Sequence, residues 1–151
     1  MESKRMDLFN EVSLRIISSL YSSFPEPSHL DPAVIGMLED TSHQNELGDM
    51  VYTAEWTQLD QFIRHTARWL SDEGYLSQRN TNGQFWYTYT LSSLGLKCLR
   101  NVDQPDIGQP TFGEKLKAEG LSAAKATASK FMEQFLAAGT AVLFKAADFG
   151  G

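Results

Sequence analysis

The amino-acid sequence predicts an α+β fold that is mainly α-helical, with one two-stranded hairpin and a C-terminal helical extension. Three observations predict it. Apolar residues recur every three or four positions through residues 54–73, which is the spacing of one face of an amphipathic helix. Two aromatic and β-branched runs follow on either side of an Asn-Gly pair, which is typical of a hairpin. Residues 111–147 are rich in Ala, Lys and Glu, which favour helix.

The chain begins with a predicted helix over residues 6–24, because apolar side chains at positions 9, 12, 16, 20 and 24 share one helical face. Pro25 and Pro27 end it. Asp31 followed by Pro32 is typical of a helix start, so a short second helix is predicted through residues 33–38. A polar stretch, residues 39–49, then separates this helix from the long one.

The long helix is predicted over residues 54–73. Thr53 can cap its first turn through the side-chain hydroxyl, and Gly74 can end it in a left-handed conformation. Strands are predicted over residues 75–79 and 85–90, because both runs have the aromatic and β-branched content of strands. The turn between them contains Asn82-Gly83, since both residue types tolerate the positive φ that a tight hairpin needs.

These elements carry a resemblance to a known superfamily. Residues 69–76, Trp-Leu-Ser-Asp-Glu-Gly-Tyr-Leu, resemble the end of the recognition helix in winged-helix regulators. Residues 87–96, Tyr-Thr-Tyr-Thr-Leu-Ser-Ser-Leu-Gly-Leu, resemble the return strand and next helix of MarR-like and PadR-like repressors. The resemblance covers about residues 53–99. It implies a winged helix-turn-helix fold, with the hairpin as the wing and with DNA binding and transcription regulation as expected functions.

Three regions are predicted along the chain. A winged-helix domain spans residues 1–101, a linker spans 102–110, and a helical extension spans 111–151. Residues 135–144 are apolar nearly all round, which is unusual for the surface helix of a monomer. We therefore expect the extension to pack on a partner subunit, giving a homodimer or docking another protein, or to pack on the first helix. The residues expected in oligomerisation are Leu121, Phe131, Phe135, Leu136, Val142, Leu143 and Phe144.

Composition limits the functional class. The 151 residues are 42% hydrophobic, which is enough for a real core, and the formal net charge is −6. The single cysteine, Cys98, excludes an internal disulfide framework, and with no secretory segment before the first helix a cytoplasmic protein is expected. No apolar run reaches the roughly 18 residues of a spanning helix, so we expect no stable membrane insertion.

The sequence gives little support to catalysis. His29, His43 and His65 are scattered without the close spacing of a zinc site, and neither a Gly-x-Ser-x-Gly elbow nor a phosphate-binding Gly-x-x-x-x-Gly-Lys loop is present. Cys98 lies beside leucines on a predicted helix, where a small buried side chain is the expected role. We therefore expect no enzyme, no metal and no cofactor.

Double-stranded DNA is the first expected partner, because polar and basic residues lie opposite the apolar stripe of the long helix. Such residue types reach base edges and phosphates. The predicted DNA-binding residues are Thr57, Gln58, Gln61, Arg64, His65 and Arg68 on the helix, Arg79 near the wing and Asn82 at its tip. The alternative for this face is an ordinary solvated surface, in which Arg68 pairs with Asp72 four residues later.

The charge distribution favours a second hypothesis. Eight acidic residues and no Lys or Arg lie between positions 26 and 60, which disfavours an approach to phosphates. Such a surface suits a protein–protein interaction module, that is, a non-catalytic subunit or adaptor of a larger assembly, including a nucleoprotein one. The sequence therefore leaves two functions open, a dimeric DNA-binding transcriptional regulator and a protein-docking module.

Overall fold

The structure is a computed structural model that describes residues 2–79, 88–100 and 121–150, with side chains described for 4–79, 88–100 and 127–141. Within these residues the fold is α+β and mainly helical, as predicted, with four helices and two antiparallel two-stranded sheets. The elements are α1 (Glu2–Ser23), β1 (His43–Gln44), β2 (Met50–Val51), α2 (Ala54–Asp72), β3 (Leu76–Arg79), β4 (Thr88–Leu91), α3 (Ser93–Arg100) and α4 (Leu121–Gly150).

Helix α1 lies at the centre of the fold. Helix α4 packs along it, and α2 and β4 also contact it. Because α1 is covered from several directions, its buried residues are not confined to one stripe, and Val12, Leu14, Ile16, Ile17 and Leu20 are all fully buried. The C-terminal helix was expected to pack either on a partner subunit or on the first helix. In the described residues it packs on the first helix. None of the helices in the described part of the chain has the length and apolarity that a transmembrane span needs.

Both ends of α2 form as predicted. The Thr53 hydroxyl oxygen accepts the backbone N–H of Trp56 at 3.1 Å, which satisfies one of the free amides of the first turn. At the other end Gly74 adopts a φ of +93°, and the N–H of Tyr75 donates to the carbonyl oxygen of Leu70 at 2.9 Å. This is a Schellman ending, in which a left-handed glycine reverses the chain directly into β3.

The short second helix predicted through residues 33–38 is wrong, because the structure has a single hydrogen-bonded turn there. The capping signal was correct, since the Asp31 carboxylate accepts the N–H of Ala33 at 2.9 Å. Gly36 then adopts a φ of +76°, which ends the turn before a helix can extend. Residues 24–53 therefore contain no α-helix, and α2 has no preceding helix as a helix-turn-helix partner.

The polar stretch before α2 contains a hairpin that the sequence pattern did not predict. Strands β1 and β2 pair antiparallel, and the Asn45 side chain accepts the N–H groups of Leu47 and Asp49, both at 2.9 Å. Gly48 follows with a φ of +82°, as expected for a three-residue turn that closes on a left-handed residue. Each strand is only two residues long, so no alternation of apolar residues marks it.

The predicted second hairpin is present in β3 and β4, which pair antiparallel with Leu76 opposite Leu91. Its tip falls in residues 80–87, outside the described residues. Ser28 and Tyr89 exchange two backbone hydrogen bonds of 2.9 Å each, so the segment after α1 adds a bridge to the free edge of β4. This bridge fixes the hairpin to the chain that leaves α1.

A buried arginine holds the turn that replaces the predicted helix. Arg15 donates to the carbonyl oxygens of Ile35 and Gly36 at 3.3 and 3.2 Å and pairs with Glu11 at 3.3 Å. Its side chain is 10% exposed and that of Glu11 is 6% exposed. Carbonyls at the end of a turn need donors from outside it, and the guanidinium supplies them.

We expect Arg15→Leu to lower the free energy of unfolding by about 2 kcal/mol, because it leaves the Glu11 carboxylate buried without its partner. Arg64→Leu is the matched control, since Arg64 and Asp60 form an ion pair of the same spacing at 3.1 Å in which Arg64 is 71% exposed. An exposed pair contributes about 0.2–1 kcal/mol. Urea denaturation of both variants measures the difference, and equal losses would contradict the role given to Arg15.

Candidate nucleic-acid interface

The outward face of α2 is the surface on which most of the predicted site residues meet. All six helical candidates are exposed: Thr57, Gln58, Gln61, Arg64, His65 and Arg68. At about 100° per residue they fall within an arc of roughly 120°. The opposite face buries Trp56, Ile63, Thr66, Ala67 and Leu70. The predicted exposure of this face is therefore confirmed, while its binding to DNA stays a prediction.

The dimensions of this polar face suit a groove in DNA. Residues 57–68 span roughly 16 Å along the helix axis at 1.5 Å per residue. The major groove is about 12 Å wide and admits one α-helix. The face carries amides, hydroxyls and guanidinium groups, which are the groups that contact base edges and phosphates.

One of the two arginines on this face is already engaged. Arg64 donates through Nε to the Asp60 carboxylate at 3.1 Å, and Asp60 is 19% exposed. The pairing of Arg68 with Asp72, which was the alternative for this face, is not among the ion pairs of the described residues. A phosphate that binds Arg64 therefore has to share the guanidinium with the Asp60 carboxylate or displace it.

The second hairpin carries one more cation. Arg79 is the last residue of β3 and is exposed, whereas Asn82 lies outside the described residues. The chain passes from the end of α2 into β3 through the tight turn at Gly74, so the start of β3 is fixed relative to the helix. Arg79 therefore follows α2 by way of a short ordered connection, and its contact with DNA stays a prediction.

Ser92 is a positioning residue that the sequence analysis did not single out. Its hydroxyl donates to the carbonyl oxygen of Gly74 at 2.5 Å and accepts the N–H of Gly95 at 3.0 Å. It therefore caps α3 and also ties the start of α3 to the end of α2. In the sequence, a serine directly before a helical stretch predicts that Ser92 caps α3, but it does not predict the contact with the end of α2.

The approach to the N-terminus of α2 has the opposite charge. Five acidic residues there are exposed: Glu39, Asp40, Glu46, Asp49 and Glu55. Hydrogen bonds from the side chain and the backbone of Ser42 lower the pKa of Asp40 below its ordinary value, so its carboxylate stays ionised at neutral pH. The α2 surface is therefore acidic at its start, carries Arg64 and Arg68 in its second half, and ends on the exposed carboxylates of Asp72 and Glu73.

Comparison with protein-family models, with curated proteins and with solved structures finds no match to this chain. The winged-helix resemblance consequently depends on residues of this chain alone. Function has to be argued from the geometry and chemistry of its surfaces.

Other reactive groups in the described residues have ordinary structural surroundings. Cys98 is fully buried, as expected from its neighbours, and burial raises the pKa of its thiol, which disfavours the nucleophilic thiolate. Tyr75 is also buried, which raises the pKa of its hydroxyl. Among the described residues no group of three His, Cys, Asp or Glu side chains could hold a metal ion.

The residues predicted for oligomerisation divide into two groups. Phe131 and Phe135 are fully buried in the core of the same chain, because α1 and α3 pack against α4, and Leu136 is partly buried against that core. The structure thus places Phe131 and Phe135 inside the chain instead of on an outer surface. A role for them between subunits stays a prediction and would require the subunits to exchange α4. The side chains of Leu121, Val142, Leu143 and Phe144 lie outside those described.

Proposed function

We propose that this chain is a DNA-binding regulator of the winged-helix type, in which α2 enters the major groove and the β3–β4 hairpin contacts the adjacent backbone. One observation carries the proposal. The arc of exposed polar and basic side chains on α2 is as long as a groove contact requires, and it lies directly opposite the buried face that anchors the helix.

The residue types on α2 suit two tasks. Gln61 has the amide that pairs with adenine in the major groove, and Arg64 and Arg68 suit phosphates. Arg79 at the end of β3 suits phosphate oxygens, which fix the register of a protein on DNA, whereas the Thr57 hydroxyl donates to the carbonyl oxygen of Thr53 at 3.1 Å and has only its lone pairs left for a base-edge donor. A protein that combines these contacts would select a sequence as well as bind the backbone.

The charge distribution determines how α2 would lie in the groove. Glu55 and the acidic residues before it repel phosphates, whereas Arg64 and Arg68 attract them. We therefore expect the part of α2 around Arg64 and Arg68 to approach the DNA more closely than its start or its last turn, where Asp72 and Glu73 are exposed. Because no helix lies between α1 and α2, the number of phosphate contacts is small. Three arginine contacts would give a slope of about −3 in log affinity against log salt concentration.

The test is the affinity of the full-length chain for a random pool of double-stranded DNA, measured by fluorescence anisotropy over a range of salt concentrations. Wild type should bind at low salt, and Arg64→Ala combined with Arg68→Ala should weaken binding about 100-fold at 50 mM salt, since two phosphate contacts are lost. Lys4→Ala combined with Lys130→Ala removes the same charge from exposed positions outside α2 and should change the affinity little.

Two outcomes would overturn the proposal. One is no binding by wild type at the lowest salt, where attraction to phosphates is strongest. The other is an equal loss of affinity in the control variant, which would show that only overall charge matters. Circular dichroism of each variant checks that the helices remain folded. Selection of a preferred sequence from the bound pool then separates a regulator from a non-specific binder.

A further inference from the structure

The β1–β2 hairpin exposes a group of large apolar side chains. Four of them lie within six residues, with exposed fractions of 86% for Leu47, 47% for Met50, 36% for Val51 and 45% for Tyr52. Single exposed apolar residues are common on protein surfaces, but a cluster of this kind marks an interaction site.

The cluster is continuous along the chain from the turn of the hairpin to the start of α2. Leu47 lies in the turn, Met50 and Val51 form β2, and Tyr52 follows β2 directly. The ring of Tyr52 stacks on that of the buried Trp56, with centroids 5.7 Å apart, which fixes this exposed apolar face to the first turn of α2. The Asn45 side chain holds the turn that carries Leu47, so the surface is ordered before any partner arrives.

Acidic side chains surround this face. Glu46 and Asp49 flank Leu47 in the turn, Glu39 and Asp40 precede β1, and Glu55 begins α2. None of these five forms an ion pair within the part of the chain that the structure describes. The sequence supplies no Lys or Arg between positions 26 and 60, so the local excess of negative charge has no cation nearby in the chain.

We propose that this hairpin surface binds a protein segment that carries Lys or Arg beside large apolar side chains, such as a basic amphipathic helix. Leu47, Met50 and Tyr52 would contact its apolar side, and the acidic rim would contact its cations. Phosphates of DNA and of anionic lipids are repelled by the same rim. The site uses none of the residues proposed to contact DNA, so the two proposals stand or fall separately.

The experiment uses the full-length chain and a labelled synthetic amphipathic helical peptide made of leucine and lysine. The control peptide has glutamate at every lysine position. We expect the lysine peptide to bind at least about tenfold more tightly than the glutamate peptide. Leu47→Ser combined with Met50→Ser should weaken binding about tenfold. Glu46→Gln combined with Asp49→Asn should also weaken it and reduce its salt dependence.

Matched variants outside the hairpin define the background. Val34→Ser removes another exposed apolar side chain, and Glu26→Gln combined with Glu133→Gln removes two exposed charges elsewhere. Both should bind the lysine peptide as wild type does. The Leu47→Ser, Met50→Ser variant should also keep wild-type affinity for DNA, which separates failure of this proposal from failure of the DNA proposal.

The proposal is overturned if the two peptides bind equally or if the background variants lose as much affinity as the hairpin variants. It is also overturned if wild type self-associates in sedimentation velocity and the Leu47→Ser, Met50→Ser variant does not. That result would assign the surface to a second copy of this chain.

Discussion

Replacing Phe135 by alanine is expected to lower the free energy of unfolding by about 3–5 kcal/mol, because a fully buried aromatic side chain is removed and a cavity remains. The Phe135 ring lies 5.0 Å from that of Tyr75 and 5.6 Å from that of Phe131, measured between centroids. Aromatic pairs at such distances contribute beyond the buried area alone. The substitution therefore removes apolar contact between α4 and the start of β3 as well as contact within α4.

Urea denaturation followed by circular dichroism measures this loss. Glu133→Ala is the control, because Glu133 lies on the same helix two residues earlier and is exposed, so its removal should change the unfolding free energy by about 0.5 kcal/mol or less. A small effect of Phe135→Ala would show that α4 does not belong to the core of this chain. A large effect would mean that truncation before α4 exposes α1 and disrupts the support of the DNA-contacting elements.

Sequence signals predicted those parts of the fold that local chemistry determines. The ends of α2 are determined by Thr53 and Gly74. The Thr53 side chain caps the first turn, and Gly74 adopts a positive φ because it has no side chain, so both act within one turn of the helix. The pairing of β3 with β4 follows from the Asn-Gly turn signal and from aromatic content, which are also local. The outward face of α2 follows from helical periodicity alone, so its exposure could be predicted before its surroundings were known.

Other features depend on signals that periodicity does not carry. Gly36 stops the predicted second helix after one turn, although the preceding residues have an acceptable helical pattern. Strands β1 and β2 are too short for an alternating pattern. The apolar positions of α4 predicted burial but could not specify whether α1 or another subunit would cover them. Arg15 and Ser92 act through contacts between segments distant in sequence, for which one sequence holds no signal.

Spacing alone does not determine which ion pairs form on α2. Asp60 with Arg64 and Arg68 with Asp72 have the same spacing, and only the first pair forms. An acidic residue placed before its basic partner is the more favourable order on a helix, since the acid then lies towards the positive end of the helix dipole. The order of acid and base along the helix therefore accounts for which pair forms. Arg68 belongs to none of the ion pairs of the described residues, so no carboxylate competes there for its guanidinium.

Gly95→Ala is expected to destabilise the chain by about 3 kcal/mol, although alanine normally favours a helix over glycine by about 1 kcal/mol. A Cβ atom at Gly95 would lie 2.2 Å from the carbonyl oxygen of Tyr75 and 3.4 Å from a methyl group of Leu91. The first contact is with backbone, which cannot rotate away as a side chain can. Helix α3 would have to move off the start of β3.

That movement should also reach the DNA-contacting surface. Tyr75 closes the end of α2 through its N–H, and its carbonyl oxygen accepts the N–H of Ser92, so displacement of α3 disturbs the connection from α2 to the strand that carries Arg79. The midpoint temperature of thermal unfolding and the affinity for DNA should therefore both fall in Gly95→Ala. Ser93→Ala, at an exposed position of the same helix, should change neither. An increase in stability on Gly95→Ala would show that α3 does not contact the backbone of Tyr75 just before β3, and the site would then lack the rigid support on which its geometry depends.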